Sequence, residues 1–218
     1  MYEENKPQYR ILLLIALAHG LNDLIQGMIP SIYPTLQAKY ALTMTQIGVI
    51  TLCYQLSASI LQPLVGNYTD KHPKPYSQVL GMAFTTLGAI FLSMASSYTT
   101  ILLSVVLIGV GSSVFHPESS RVAFLASGGK RSFAQAIFQL GGNLGTAFAP
   151  LLVILLVFSK KVIDGQLIEE AHQERLIWFS SFSIFAMLIL ILVGKWRSIL
   201  LKLLKKKAKK PVVMPNLT

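Results

Sequence analysis

The chain has 218 residues, 53% of them hydrophobic and only 13% charged, with a formal net charge of +10. Soluble domains are about one-quarter charged, so there are too few charges to cover a water-facing surface, and the long apolar runs read as a multi-span membrane protein. The single cysteine, Cys53, excludes an intrachain disulfide and argues against a metal cluster.

Six spans are predicted, over residues 11–33, 44–65, 76–97, 100–125, 132–158 and 176–195. Each is near the roughly 20 residues that cross a bilayer as helix. The first has no small-residue cleavage site and contains Asn and Asp, so it reads as a retained span and not a signal peptide. Its His19, Asn22, Asp23 and Gln26 fall at offsets that share one helix face. Asp23 lies near the bilayer middle, where a carboxylate costs a few kcal/mol. Two roles fit it: a proton-coupling or substrate-binding group, or a permanent hydrogen bond or ion pair that locks two helices.

The second span carries Thr51, Gln55, Ser59 and Gln62 along one side, while the third and sixth offer only scattered Ser and Thr. In the fourth, Ser112, Ser113, His116, Ser119 and Ser120 cluster together. Glu118 and Arg121, three apart near the predicted cytoplasmic end, can pair and partly snorkel. His116 points well away from Glu118, so this stretch has a cavity face and a packing or gating face. Pro117 frees a carbonyl one turn earlier and permits a kink. The fifth span has Gln135, Gln139, Gly142, Asn143 and Thr146, with Gly141 and Gly145 forming a G-x-x-x-G that allows close helix approach. A single polar stripe reads as interhelical glue. Four of them favour a shared hydrated cavity, with the third and sixth spans outside it as supports.

With the N-terminus inside, the inner segments hold Lys6, Arg10, Lys71, Lys74, Lys130, Arg131 and the basic residues of 195–210. The outer segments hold only Lys39, Lys160, Lys161 and Arg175. Positive charge marks the cytoplasmic side, so both termini are expected there, and the basic balance calls for no nucleic acid. Residues 198–218 form a basic tail, either a solvated stop-transfer cluster or an amphipathic helix with its lysines among anionic head groups.

GNYTDKHPKP, between the second and third spans, resembles the loop signature of the major facilitator superfamily on Gly66, Asp70, Lys71 and Lys74, with Pro73 where the family has its second glycine. GGNLGTAFAP is similar to the fifth-helix glycine–proline motif of that superfamily's antiporters, with altered spacing around Pro150. The fourth-helix arginine of many drug antiporters is absent, since Val105 precedes Gly109. HGLNDLIQGMIPSIYP and SSVFHPESSR extend the resemblance, over residues 10–200, to the fosmidomycin resistance efflux proteins.

The resemblance implies an all-α membrane fold, the N-terminal half of a major facilitator fold, built from two inverted three-helix repeats. Helices one, two, four and five would surround a central cavity, and the repeat interface would hold the site. It implies a proton-coupled drug efflux antiporter in the plasma membrane of a prokaryotic cell, with the lipid bilayer, a small-molecule substrate and protons as its partners. Fosmidomycin-like phosphonates are the substrate it suggests. Candidate substrate and proton groups are His19, Asn22, Asp23, Gln26, Gln55, His116, Gln139 and Asn143. Gating or structural candidates are Gly66, Asp70, Lys71, Lys74, Glu118, Arg121, Gly141, Gly145 and Pro150, with Asp70 placed to cap a facing helix N-terminus. No cofactor, metal-ligand set or catalytic residue is expected. Transporters of the superfamily have two six-helix halves, so a second half is the expected partner, either a second copy or a separate chain. The alternatives are a truncated half-transporter without activity of its own and a membrane scaffold that pairs with another helical bundle.

Overall fold

The structure is a computed structural model that describes residues 6–163 and 166–208. Its helices are α1 (Tyr9–Ser31), α2 (Tyr33–Tyr40), α3 (Met44–Lys71), α4 (Ser77–Ser93), α5 (Tyr98–Leu125), α6 (Arg131–Val157) and α7 (Ile177–Ala208). Helices α1, α3, α5, α6 and the segment containing α7 are long and apolar enough to cross a membrane, and α4, also apolar, is shorter. Helix α2 is a separate short turn of chain. Pro34 stands in its first turn, where a missing N–H costs nothing, and Ala41 in the left-handed region closes it.

Local chemistry sets two of the helix starts. Thr43 Oγ1 accepts from the Gln46 N–H at 3.2 Å while the Gln46 side chain accepts from the Thr43 N–H at 2.9 Å, a capping box for α3. Ser97 and Thr100 make the same reciprocal arrangement for α5. Two segments differ from the sequence expectation. The outer segment after α6 forms an antiparallel hairpin, β1 (Phe158–Ile163) with β2 (Gln166–Ala171), in a chain expected to be all-α. Helix α7 runs past residue 195 to Ala208, so the first part of the basic tail is helix. The end of the tail, residues 209–218, lies outside the described residues.

The packing has an internal symmetry. Helix α1 packs on α6 and α7, α5 packs on α3 and α4, and α4 meets α7. Exchanging α1, α3 and α4 with α5, α6 and α7 maps this set of partners onto itself. That is the pattern of two three-helix repeats. The α1–α6 contact is close because Gly141 sits against the Ala16 carbonyl and Gly145 against the Gly20 carbonyl, where any Cβ would overlap backbone. Apolar clusters fill the two ends of the bundle, one including Ile25, Met28, Ile50 and Phe179, the other Leu12, Ile15, Met82 and Phe115. Along α1, the polar residues His19, Asn22 and Asp23 fall between them.

Candidate functional site

Asp23 is held between two histidines. Its Oδ2 lies 3.1 Å from Nε2 of His19, one turn earlier on α1, and its Oδ1 lies 3.3 Å from Nε2 of His116 on α5. Asn22 and Gln26 donate to Oδ1 at 3.1 and 3.2 Å. Each imidazole is anchored on its far side. His19 Nδ1 is 2.8 Å from the Phe138 carbonyl, and its ring stacks on Phe138 with centroids 3.9 Å apart. His116 Nδ1 is 3.1 Å from the Ser112 carbonyl and 3.2 Å from its hydroxyl.

A carbonyl only accepts, so the hydrogen-bond network assigns the Nδ1 proton in both rings and leaves Nε2 facing a carboxylate oxygen. Each N···O line then needs a proton on one of its two atoms, as imidazolium or as carboxylic acid. The site can therefore hold and exchange protons without breaking its outer hydrogen bonds. His19 is buried, while the His116 side chain is 25% exposed, so the cluster opens on that side. Gly142 provides the room: a Cβ there would press on the His19 ring and the Asp23 carboxylate at 2.5–2.7 Å.

The surrounding shell joins α3 and α4 to this centre. Gln26 Oε1 accepts from the Tyr54 hydroxyl and from Ser112 Oγ, the latter at 3.3 Å. Thr85 Oγ1 reaches Asn22 Oδ1 at 3.5 Å, and Tyr33 bonds Thr51 at 2.8 Å. The stripes of α1 and α5 thus converge. Those of α3 and α6 do so only in part: Gln55, Gln139 and Asn143 are exposed, and none is hydrogen-bonded to the cluster among the described residues.

A second polar cluster lies at the other end of α5. Glu118 accepts from Arg121 Nη1 at 2.7 Å, Ser77 Oγ at 2.5 Å and Arg197 Nη1 at 2.5 Å. It is fully buried, so the expected pair with Arg121 forms but without snorkelling. Arg121 Nη2 also donates to Asp70 and, at 3.4 Å, to the Gly66 carbonyl. Asp70 therefore meets a guanidinium and not the N-terminus of a facing helix. Lys71, Lys74 and Pro150 are exposed, and the Lys74 carbonyl accepts from Ser77 Oγ at 2.9 Å.

This loop-to-helix cluster and the six-helix bundle around it agree with the family comparison, in which the Major Facilitator Superfamily model matches residues 15–213. The chain belongs to the Major Facilitator Superfamily. It is 43% identical over 212 residues to the fosmidomycin resistance protein of Escherichia coli (strain K12), which covers 96% of this chain and 49% of that protein. It is 41% identical over 202 residues to an uncharacterised MFS-type transporter, YfnC, of Bacillus subtilis (strain 168), covering 93% and 47%. The chain spans about half the length of the curated relatives it matches. Among solved structures, a bacterial homologue of the human lysosomal transporter Spinster, inward-facing and unoccupied, matches at TM-score 0.66 and 18% identity over 85% of this chain and 42% of that one. The transporter FucP, in its outward conformation, matches at TM-score 0.57 and 20% identity over 88% and 49%. At these identities the likeness concerns the fold alone, a half major facilitator fold. The family is one of transporters, not enzymes.

Three groups in this major facilitator chain belong to one or the other of the two clusters without standing out in the sequence. Tyr54 looks like one more apolar helix residue, and only its hydroxyl contact with Gln26 marks it. The Phe138 carbonyl has no side-chain signal at all. Arg197 lies among tail-like basic residues, yet it is fully buried.

Proposed function

We propose that the chain is a six-helix half of a proton-coupled exporter of small molecules, of the fosmidomycin resistance type. The observation that carries the reading is Asp23 held between the Nε2 atoms of His19 and His116, one on each of the two helices equivalent in the repeats. Adding or removing a proton there changes the attraction between α1 and α5, which is the kind of bias an alternating-access change needs. Asp23 is the proton carrier, with His19 and His116 as its exchange partners. Asn22 and Gln26 hold the carboxylate in place.

The exposed amides Gln55, Gln139 and Asn143 support a water-filled path against a second six-helix half, because such groups are costly when they face lipid. The charge asymmetry supports cytoplasmic termini in a prokaryotic plasma membrane. A second reading, a half without independent activity, is favoured by one observation: the chain spans 49% and 47% of two relatives.

The test is uptake of labelled fosmidomycin into inverted membrane vesicles from cells producing the chain, with and without an imposed pH gradient. The expected result is gradient-driven accumulation that Asp23→Asn abolishes while the protein stays folded in the membrane. An Asp23→Asn protein that responds fully to the gradient removes Asp23 from the mechanism. Absence of accumulation by the unmodified chain selects the inactive-half reading.

A further inference from the structure

We propose that His19, Asp23 and His116 form a binding site for one divalent transition-metal ion of the zinc class. The inference goes beyond transport and stands or falls on binding alone. One ligand atom from each residue lies within 4.8 Å of the other two. The two nitrogens are 3.1 and 3.3 Å from the carboxylate oxygens. Ligands at about 2.0–2.2 Å from a tetrahedral zinc are themselves roughly 3.3–3.5 Å apart. The two histidine–carboxylate contacts are close to that spacing, and no pair among the three ligand atoms is more than 4.8 Å apart.

The outer hydrogen bonds point the same way. A metal-binding imidazole needs a lone pair on the coordinating nitrogen, and it is oriented by donating its other N–H to a carbonyl or carboxylate. Both rings meet this condition, His19 through the Phe138 carbonyl and His116 through the Ser112 carbonyl. When neither Nε2 carries a proton, two lone pairs converge on an anionic carboxylate with nothing between them. A cation at that point satisfies all three groups at once.

The donor set selects the class of ion. Two imidazoles and one carboxylate suit zinc and its first-row neighbours, whereas magnesium and calcium require predominantly oxygen ligands. Three protein ligands leave a coordination position open. The partial exposure of His116, 25%, and of Asp23, 17%, places that position on the side from which an ion would enter. His19 forms the rigid wall, stacked on Phe138 and lying over Gly142.

The test is a Co2+ titration of the purified full chain in detergent micelles, read from the visible d–d band and from metal content, followed by Zn2+ competition. The expected result is one Co2+ per chain, displaced by Zn2+. His116→Gln, at a partly exposed position, should weaken binding at least about 10-fold, and His19→Gln likewise where it folds. The double variant His72→Asn/His172→Asn removes the other two histidines and should keep the band. Absence of the band at saturating Co2+ overturns the proposal. So does a full band in folded His116→Gln, or loss of the band in the His72/His172 variant.

Discussion

Arg197 Nη1 donates to Glu118 Oε2 at 2.5 Å, and neither side chain is more than 1% exposed. The pair ties α7 to α5, and through Arg121 the same carboxylate is linked to Asp70 at the end of α3. Two further groups of Arg197, Nε and Nη2, are buried with no hydrogen-bond partner among the described residues. The arginine therefore depends on Glu118 for compensation of its charge. Removing one member of a buried pair typically costs about 3–5 kcal/mol, because the other charge is left uncompensated. Glu118→Gln, which leaves the buried Arg197 uncompensated, should destabilise the protein on that scale, and the double change Arg197→Met/Glu118→Gln should recover part of the loss. Unfolding titrations in mixed detergent micelles measure both. Equal stability of Glu118→Gln and the unmodified chain would show that the pair is not a structural tie.

Asp70 differs from Glu118 in its surroundings. Its side chain is 66% exposed, so its pair with Arg121 contributes only about 0–1 kcal/mol to stability. Asp70→Asn should leave the fold intact and act on conformational switching. In an active assembly, transport should slow while substrate binding stays close to that of the unmodified protein. Stopped-time uptake and equilibrium binding separate the two, and lost binding at an unchanged rate would contradict this role.

The α1–α6 contact predicts a contrast between two glycines. A Cβ at Gly145 would meet the Gly20 backbone, whereas nothing lies within 4 Å of a Cβ at Gly48. Gly145→Ala should destabilise the bundle by about 1–3 kcal/mol, the usual cost of overpacking. Gly48→Ala should be neutral or slightly stabilising, since alanine favours helix. Thermal unfolding of the two variants side by side provides the measurement. Similar melting behaviour would mean that α1 and α6 can separate without penalty.

Topology is open to direct mapping. Reporter fusions at Asp70, Lys130 and Lys205 should behave as cytoplasmic, and fusions at Tyr40, Tyr98 and Ser159 as external. Reversal at two or more of these positions would refute the assigned orientation.

The membrane class and the apolar helices are legible in the sequence because span length and hydropathy are local properties of the chain. The polar faces of α1 and α5 are legible too, since the 3.6-residue period places His19, Asn22, Asp23 and Gln26 together without reference to any other helix. What each face meets is not a local property. Periodicity treats Gln139 and His116 alike, yet Gln139 is exposed and His116 reaches Asp23. Only the packing of α5 beside α1 decides that two histidines far apart in the chain share one carboxylate. The same holds for Arg197. Its basic neighbours make it look like part of a solvated tail, and its burial follows from the continuation of α7 past the expected span and the presence of Glu118 opposite it. A charge is tolerated inside the bundle only where a partner on another helix compensates it, and that pairing is decided by the tertiary structure.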